Sequence, residues 1–237
     1  MKQKFKFKKF SVEQHNCAMK IGTDGVLLGA WTTLPENINS ILDVGSGTGL
    51  LALMLAQRTQ AEIIDAIEID EAAFEQCVQN FETSEWADRL FCYHAGFDEF
   101  VDEIEDKYDL IICNPPFFSE DVSSGNVSRD TARQNASLPF KGLLEGISKL
   151  LAKGGKFSVI TTYKEESNFI EMASKNKLFP NRICRVRGNP SSKIKRSLMQ
   201  FSFNEIQTEI NELTIEKERH VYTKEYIALT KDFYLKM

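Results

Sequence analysis

No apolar run in the chain approaches the ~20 residues that a membrane-spanning helix requires, and nothing in it reads as a membrane anchor. Histidine is scarce, at three residues, and the five cysteines (Cys17, Cys77, Cys92, Cys113 and Cys184) are odd in number and scattered. No CxxC and no Cys/His cluster occurs, which argues against a metal site and a disulfide framework. Most of these cysteines fall inside apolar runs, where a thiol behaves as a small buried hydrophobe. A reduced, cytoplasmic, metal-free protein is expected, and a monomer. The opening MKQKFKFKKF is basic with no apolar run behind it, and is not read as a secretory signal. Repeats and low-complexity tracts are missing too. The 237 residues therefore read as a single α/β domain, with 1–35 as an N-terminal arm and cap and 36–237 as the core.

A strong net charge is also lacking: the sum is −5, which by itself speaks against a polyanionic partner. The distribution says more. Residues 1–20 hold Lys2, Lys4, Lys6, Lys8, Lys9 and Lys20 against Glu13 alone, a local +5. Residues 182–200 hold Arg182, Arg185, Arg187, Lys193, Lys195 and Arg196 with no acid, a local +6. Two basic islands on an acidic body suit a polyanion if the fold brings them to one face.

What is present is a periodic pattern. KFKFKKFSV (4–12) roughly alternates and reads as a short strand, Gly22 and Asp24-Gly25 as a turn, and VLLGAW as a helix. From Ser40 short apolar runs alternate with helical stretches: SILDVG then LLALMLAQRT, EIIDAIEID then EAAFEQCVQNFETS, RLFCYHAG then a short helix over 98–106. YDLIICNPPFF follows as a strand entering a rigid turn, then a helix PFKGLLEGISKLLAKGG stopped by its glycine pair, a strand KFSVITT and a helix KEESNFIEMASKNK. This alternation implies parallel strands joined by right-handed crossovers, a doubly wound sheet. RICRVRGN, SLMQFSFNEI and EYIALTKDFYL read as β-rich, with an antiparallel hairpin finishing the sheet.

Asp43-Val44-Gly45-Ser46-Gly47-Thr48-Gly49 lies between the first strand and helix of this pattern. Such glycines either serve a tight packing turn or let a ligand lie against the backbone. Glu68 and Asp70 end the next strand, about 20–25 residues on, where an acid accepts hydrogen bonds from ribose hydroxyls. Glu68 lies nearer the strand end; the plainer reading makes it a solvated terminus and Asp70 an N-cap. The spacing is GxGxG rather than the GxGxxG that faces a helix N-terminus to a pyrophosphate. Asp43 ahead of it repels a pyrophosphate and suits the ammonium of an amino-acid moiety, favouring S-adenosylmethionine over NAD.

Asn114-Pro115-Pro116-Phe117 ends the fourth strand of the pattern. The prolines stop the ladder and stiffen the turn. The Asn114 side-chain carbonyl and the Pro115 backbone carbonyl then form a pair of acceptors. An aryl amine is a poor nucleophile because its lone pair is delocalised, and gripping its N–H bonds favours the pyramidal, reactive geometry while Phe117 stacks on the ring. Alternatively, the prolines merely lead the chain off the sheet.

DVGSGTG, EID and NPPF in this order resemble the amino-group branch of the Rossmann-like class I methyltransferases. Together with AMKIGTDGVLLGAW, Ala132-Arg133 before SLPF, and the closing EYIALTKDFYLKM, the chain resembles the bacterial tRNA(Val) adenine N6-methyltransferases along nearly its whole length. The resemblance implies S-adenosylmethionine as cofactor and the adenine 3′ of the anticodon of a valine tRNA as target. It implies that Asp43, Gly45, Ser46, Gly47 and Gly49 surround the methionine part, and that Glu68 holds the ribose with Ile69 against the adenine. Asn114 and Pro115 would bind the target amine, Asn114 also bordering the cofactor, with Pro116 and Phe117 completing the catalytic turn. One departure is the stretch His94-Ala95-Gly96-Phe97-Asp98, where Gly96 stands at the place of the family's acid. Either the Phe97 N–H or Asp98 takes over that contact.

RNA contacts are expected from Lys193, Lys195 and Arg196 in the loop GNPSSKIKR, and from Arg129 and Arg133 in the polar segment 119–137, which reads as a flap over the site. The 4–10 arm is read either as a stacking surface for bases or as an added core strand. The rivals are guanine-N2 methylation of rRNA, glutamine methylation of protein, an NAD-dependent enzyme, and a non-catalytic cofactor-binding module.

Overall fold

The structure, a computed structural model, describes residues 4–116 and 139–237. In chain order its first half runs β1 (Lys4–Lys6), β2 (Ser11–Glu13), α1 (Thr23–Trp31), β3 (Ser40–Val44), α2 (Leu50–Arg58), β4 (Ile63–Glu68), α3 (Glu71–Glu82), β5 (Leu90–His94), α4 (Phe97–Glu103) and β6 (Tyr108–Cys113). There follow α5 (Phe140–Leu150), β7 (Leu151–Thr162), α6 (Glu166–Lys175), β8 (Phe179–Arg187), β9 (Arg196–Ser202), β10 (Glu209–Thr214), β11 (Glu216–Glu218), β12 (Val221–Tyr222) and α7 (Lys224–Thr230).

Eight strands form one sheet in the order β10-β8-β9-β7-β6-β3-β4-β5, with β3 to β7 mutually parallel. The central strands are apolar on both faces because both are covered. Ile41 of β3 and Leu110 and Ile112 of β6 join a core with α1, α2 and Phe81 of α3. Leu42 and Val44, and Ile111 and Cys113, join a core with α4, α5 and α6 on the other side. Phe157, Phe169 and Phe201 are fully buried there, each contributing about 1.5–3 kcal/mol by burial. The Rossmann-like, mostly parallel arrangement is therefore as the alternating pattern predicts.

Four local expectations are corrected. Asp24-Gly25 lies within α1 and is not a turn: Gly22 is the extended N-cap, Asp24 sits favourably in the first turn, and Gly25 is buried close to Leu50. The 140–155 helix stops at Leu150, and Gly154-Gly155 belong to β7. There the register against β6 jumps between Tyr108 and Leu110. A Cβ on Gly155 would lie 2.9 Å from the Tyr108 carbonyl oxygen, so the glycine permits this bulge and does not cap the helix. Gly155→Ala is expected to cost about 1–3 kcal/mol through that overlap, lowering the Tm by about 2–10 °C in thermal unfolding.

The β8–β9 hairpin is antiparallel as expected, but it does not finish the sheet, because β10 adds parallel to β8 at the edge. EYIALTKDFYL holds a helix, not a strand: the Thr223 side chain accepts from the Tyr226 N–H at 3.2 Å, and Tyr226 and Thr230 are buried one turn apart. The N-terminal arm is a hairpin, β1 against β2, with Phe7, Phe10 and Val12 in the core.

Candidate active site

The chain runs outward from β3 to β4 and β5, then returns to lay β6 on the other side of β3. That reversal opens a crevice beyond the carboxyl ends of β3 and β6, the usual ligand position in open α/β sheets. Val44 pairs with both Ile67 and Cys113, so the glycine loop, Glu68 and Asn114 leave the sheet at one level.

Gly45 and Gly47 have φ of 70° and 54°, the left-handed region that glycine enters at little cost. A Cβ on either would meet nothing within 4 Å, so main chain faces open space. The loop is braced from below: the Gly45 and Ser46 N–H groups both donate to the Ile67 carbonyl at 3.0 Å, and the Gly49 N–H donates to the Ser46 carbonyl at 2.8 Å. The Ser46 hydroxyl turns away toward the Cys77 Sγ, 3.5 Å distant. Gly49 serves packing as well, since a Cβ there would stand 2.5 Å from the Phe81 ring.

Asp43 is fully buried. Its Oδ2 accepts from the Ala52 N–H at 3.2 Å, while Oδ1 has no hydrogen-bond partner among the described residues. Burial pushes its carboxyl up to about 7; the Ala52 N–H opposes the rise and the Glu68 carboxylate adds to it. A buried acceptor left unmade costs about 1–3 kcal/mol, and a cation entering the crevice would satisfy it.

Glu68 Oε2 accepts from the Gly47 N–H at 2.7 Å and Oε1 from the Asp70 N–H at 2.9 Å. Asp70 in turn accepts from the Ala73 N–H at 2.9 Å as N-cap of α3, as the plainer reading has it, whereas Glu68 is buried and is not a solvated strand end. Ile69 is 53% exposed at the strand tip. Beside it the position of a Cβ on Gly96 would lie 2.9 Å from Asp98 Oδ1 and 3.8 Å from Ile69 Cδ1. Gly96 thus leaves room for the Asp98 carboxylate next to Ile69. The Phe97 ring is instead buried in the α4–α5 interface, leaving only its backbone for the crevice.

Asn114 is half-buried and Pro115 buried at the end of β6. Among the described residues, the Asn114 Oδ1 is a second buried acceptor without a hydrogen-bond partner. Its Nδ2 lies 3.8 Å from the position of a Cβ on Gly25, so α1 closes the crevice from the other side. Asp43 and Asn114 thus supply two unsatisfied acceptors at adjacent strand ends, which fits one cationic and one amine-bearing occupant.

Residues 22–175, which span α1, the glycine loop, Glu68 and Asn114, match the family model for the methyltransferase small domain. The tRNA1(Val) (adenine(37)-N6)-methyltransferase of Flavobacterium psychrophilum is 59% identical over 233 residues, covering 98% of this chain and 100% of the relative. The chain belongs to that family. The tRNA1(Val) (adenine(37)-N6)-methyltransferase of Christiangramia forsetii is 57% identical and 99% covered, as is this chain. Among solved structures, a predicted O-methyltransferase from Agrobacterium tumefaciens gives a TM-score of 0.69 over 89% of this chain and 96% of that one, at 18% identity. That likeness shows the fold.

In this tRNA1(Val) (adenine(37)-N6)-methyltransferase family member, the expected RNA-contacting residues divide. Phe117, Arg129 and Arg133, and the whole segment 119–137, lie outside the described residues. Lys193 and Lys195 are exposed in the loop between β8 and β9. Arg196 is not a loop residue: it opens β9 opposite Thr162, the carboxyl end of β7, and its Nε donates to Asp24 Oδ2 at 2.9 Å. β9 stands two strands from β6, about 10 Å away, so this loop leaves the sheet at the same edge as Asn114. Three residues that the sequence did not single out also stand here. Asn80 donates to the Thr48 carbonyl and the Glu13 carbonyl, each at 2.9 Å, tying the arm to the glycine loop. Tyr163 directly follows β7, with the Arg185 guanidinium 5.5 Å over its ring. Buried Glu166 takes Arg185 Nη2 at 2.8 Å. Only the acid in the first turn of each helix hinted at Asp24 and Glu166. Asn80 and Tyr163 carry no local signal. Among the described residues no helix is long and apolar enough to cross a membrane, and no group of three metal-ligating side chains occurs.

Proposed function

We propose that this protein transfers a methyl group from S-adenosylmethionine to the exocyclic N6 amine of an adenine in tRNA, the adenine 3′ of the anticodon in a valine tRNA. The observation that carries this reading is the Asn114-Pro115 turn beside the glycine loop, in a chain whose near-full-length relatives bear that activity in their names. When bound, the cofactor supplies an electrophilic methyl carbon and departs as a neutral thioether. Asp43 Oδ1 takes the ammonium, and the Gly45–Gly49 backbone surrounds the methionine moiety. Glu68 exchanges part of its hold on the Gly47 N–H for the ribose hydroxyls. Ile69 packs on the adenine face, with Asp98 and the Phe97 N–H at its edge. Asn114 Oδ1 and the Pro115 carbonyl accept from the two N6 hydrogens, Pro116 stiffens the turn and Phe117 stacks on the base. Once the N–C bond has formed, the surplus N6 proton leaves to water. Lys193 and Lys195 meet RNA phosphates; Arg196 positions Asp24 and α1 instead.

Incubation with labelled S-adenosylmethionine and tRNA from a cell lacking this activity is expected to place label in N6-methyladenosine, read by nucleoside mass. Label in N2-methylguanosine would retain the chemistry and change the base. Absence of label from tRNA, with S-adenosylhomocysteine still bound, would overturn the tRNA reading.

A further inference from the structure

Outside the crevice, a groove of about 560 Å³ lies between the N-terminal hairpin and the C-terminal elements. Phe5, Tyr222, Tyr226 and Tyr234 line it, with Lys6 and Lys236 also contributing. Tyr226 is buried; Tyr222 is half-buried, its ring centroid 5.2 Å from that of Tyr226. The arm is fastened there by the Phe7–Tyr234 bridge and by Lys8 Nζ, which donates to the Lys231 carbonyl at 2.5 Å. The aromatic-lysine repeat of the arm is thus divided: Phe7 and Phe10 went into the core, while Phe5 and Lys6 face the groove.

Like the Asn114 turn, the groove borders α1. Its wall at Gly22 and Thr23 is the start of α1, and Gly25, two residues on and about 3 Å along the helix axis, stands against Asn114. Its wall at Ile215 and Glu216 is hydrogen-bonded to the carbonyls of Arg187 and Gly188, where the basic loop begins. We propose that this groove binds one unpaired nucleotide of the RNA substrate that flanks the methylated adenine, its base against the aromatic rings and its phosphates toward Lys6 and Lys236. This rests on the function proposed above. Rotating one adenine out of a loop leaves its neighbours without stacking partners, and a ring surface bordered by cations is the arrangement that holds such bases with little regard to sequence. Charge decides the class of occupant: two lysines suit a phosphate, with Glu216 the acid in the lining.

The test compares the full chain with Tyr222→Ala, Tyr222→Phe and the double variant Lys6→Glu/Lys236→Glu. Readouts are tRNA dissociation constants at several salt concentrations, the KM for tRNA, and the dissociation constant for S-adenosylhomocysteine. Tyr222→Ala is expected to weaken tRNA about fivefold or more, the loss of one base–aromatic stack, and Tyr222→Phe to restore it. The lysine pair is exposed and should leave folding intact. Its reversal is expected to weaken tRNA and lower the salt slope by about two, with S-adenosylhomocysteine binding unchanged in all variants. Wild-type tRNA affinity and salt slope in the lysine variant, in an enzyme that methylates tRNA, would overturn the groove alone. A wild-type chain that neither binds nor methylates tRNA would overturn the function and the groove together.

Discussion

Asn114→Ala is expected to lower kcat on tRNA by about 10²–10³-fold, the usual loss when one preorganised polar group is removed from a reacting centre. Among the described residues, the buried Asn114 Oδ1 has no hydrogen-bond partner. An occupant of the crevice can supply that hydrogen bond, and truncation removes no hydrogen bond of that oxygen to the described residues. A Tm unchanged or slightly raised is the companion expectation, because an unmet buried acceptor disappears. S-adenosylhomocysteine should weaken only a few-fold, since in the proposed arrangement Asn114 borders that ligand while the glycine loop surrounds it. Single-turnover kinetics with saturating tRNA give the comparison. A kcat within threefold of wild type would remove Asn114 from the reaction.

Asp43→Asn is expected to weaken S-adenosylhomocysteine by about 10²–10³-fold at pH 8, the scale of breaking a buried charge pair, and to abolish the pH dependence of binding. Burial raises the Asp43 carboxyl from an ordinary 3.8 to about 7 in the free protein. Below pH 7 that carboxyl is mostly neutral, and a cationic ligand must draw off its proton to form the pair. Wild-type affinity therefore rises with pH by up to tenfold per unit until about pH 7, and is flat above. The stability of the free protein runs the other way. A carboxyl raised on folding gives a contribution that is lost as pH climbs from about 4 to 7, and the bound ligand restores it. Calorimetric titration in buffers of different ionisation enthalpy counts the released proton. A wild-type affinity that does not vary between about pH 5.5 and 8 would contradict the assignment of Asp43 to the ammonium.

How much of this was legible in the chain depends on the range of the signal. DVGSGTG, EID and NPPF are local: each needs only a strand end and the few residues after it, and the strand–helix period that places those ends survives any detail of packing. The mostly parallel sheet, the glycine loop at the end of its first strand and the NPP turn at the end of its fourth are legible that way. The errors have physical reasons of the opposite kind. Gly154-Gly155 looks like a helix stop until the register jump against Tyr108 shows what the small residue accommodates. EYIALT is rich in residues that favour strands, yet a single Thr223 cap and two buried positions one turn apart make it helical, a tertiary choice over weak propensity. Asp24 and Arg196 lie 172 residues apart, and no local pattern marks either as the other's partner.

The sequence by itself determined the parallel sheet, the glycine loop after its first strand and the Asn-Pro turn after its fourth, because these depend on periodicity and on residues that alter the backbone where they stand. Only the tertiary structure decided which acceptors remain unmet, that Arg196 is tied to Asp24, and that Phe5 and Lys6 meet Tyr222 and Lys236 in one groove. Burial and long-range pairing are properties of the packed chain, and neither is written in any short stretch of it.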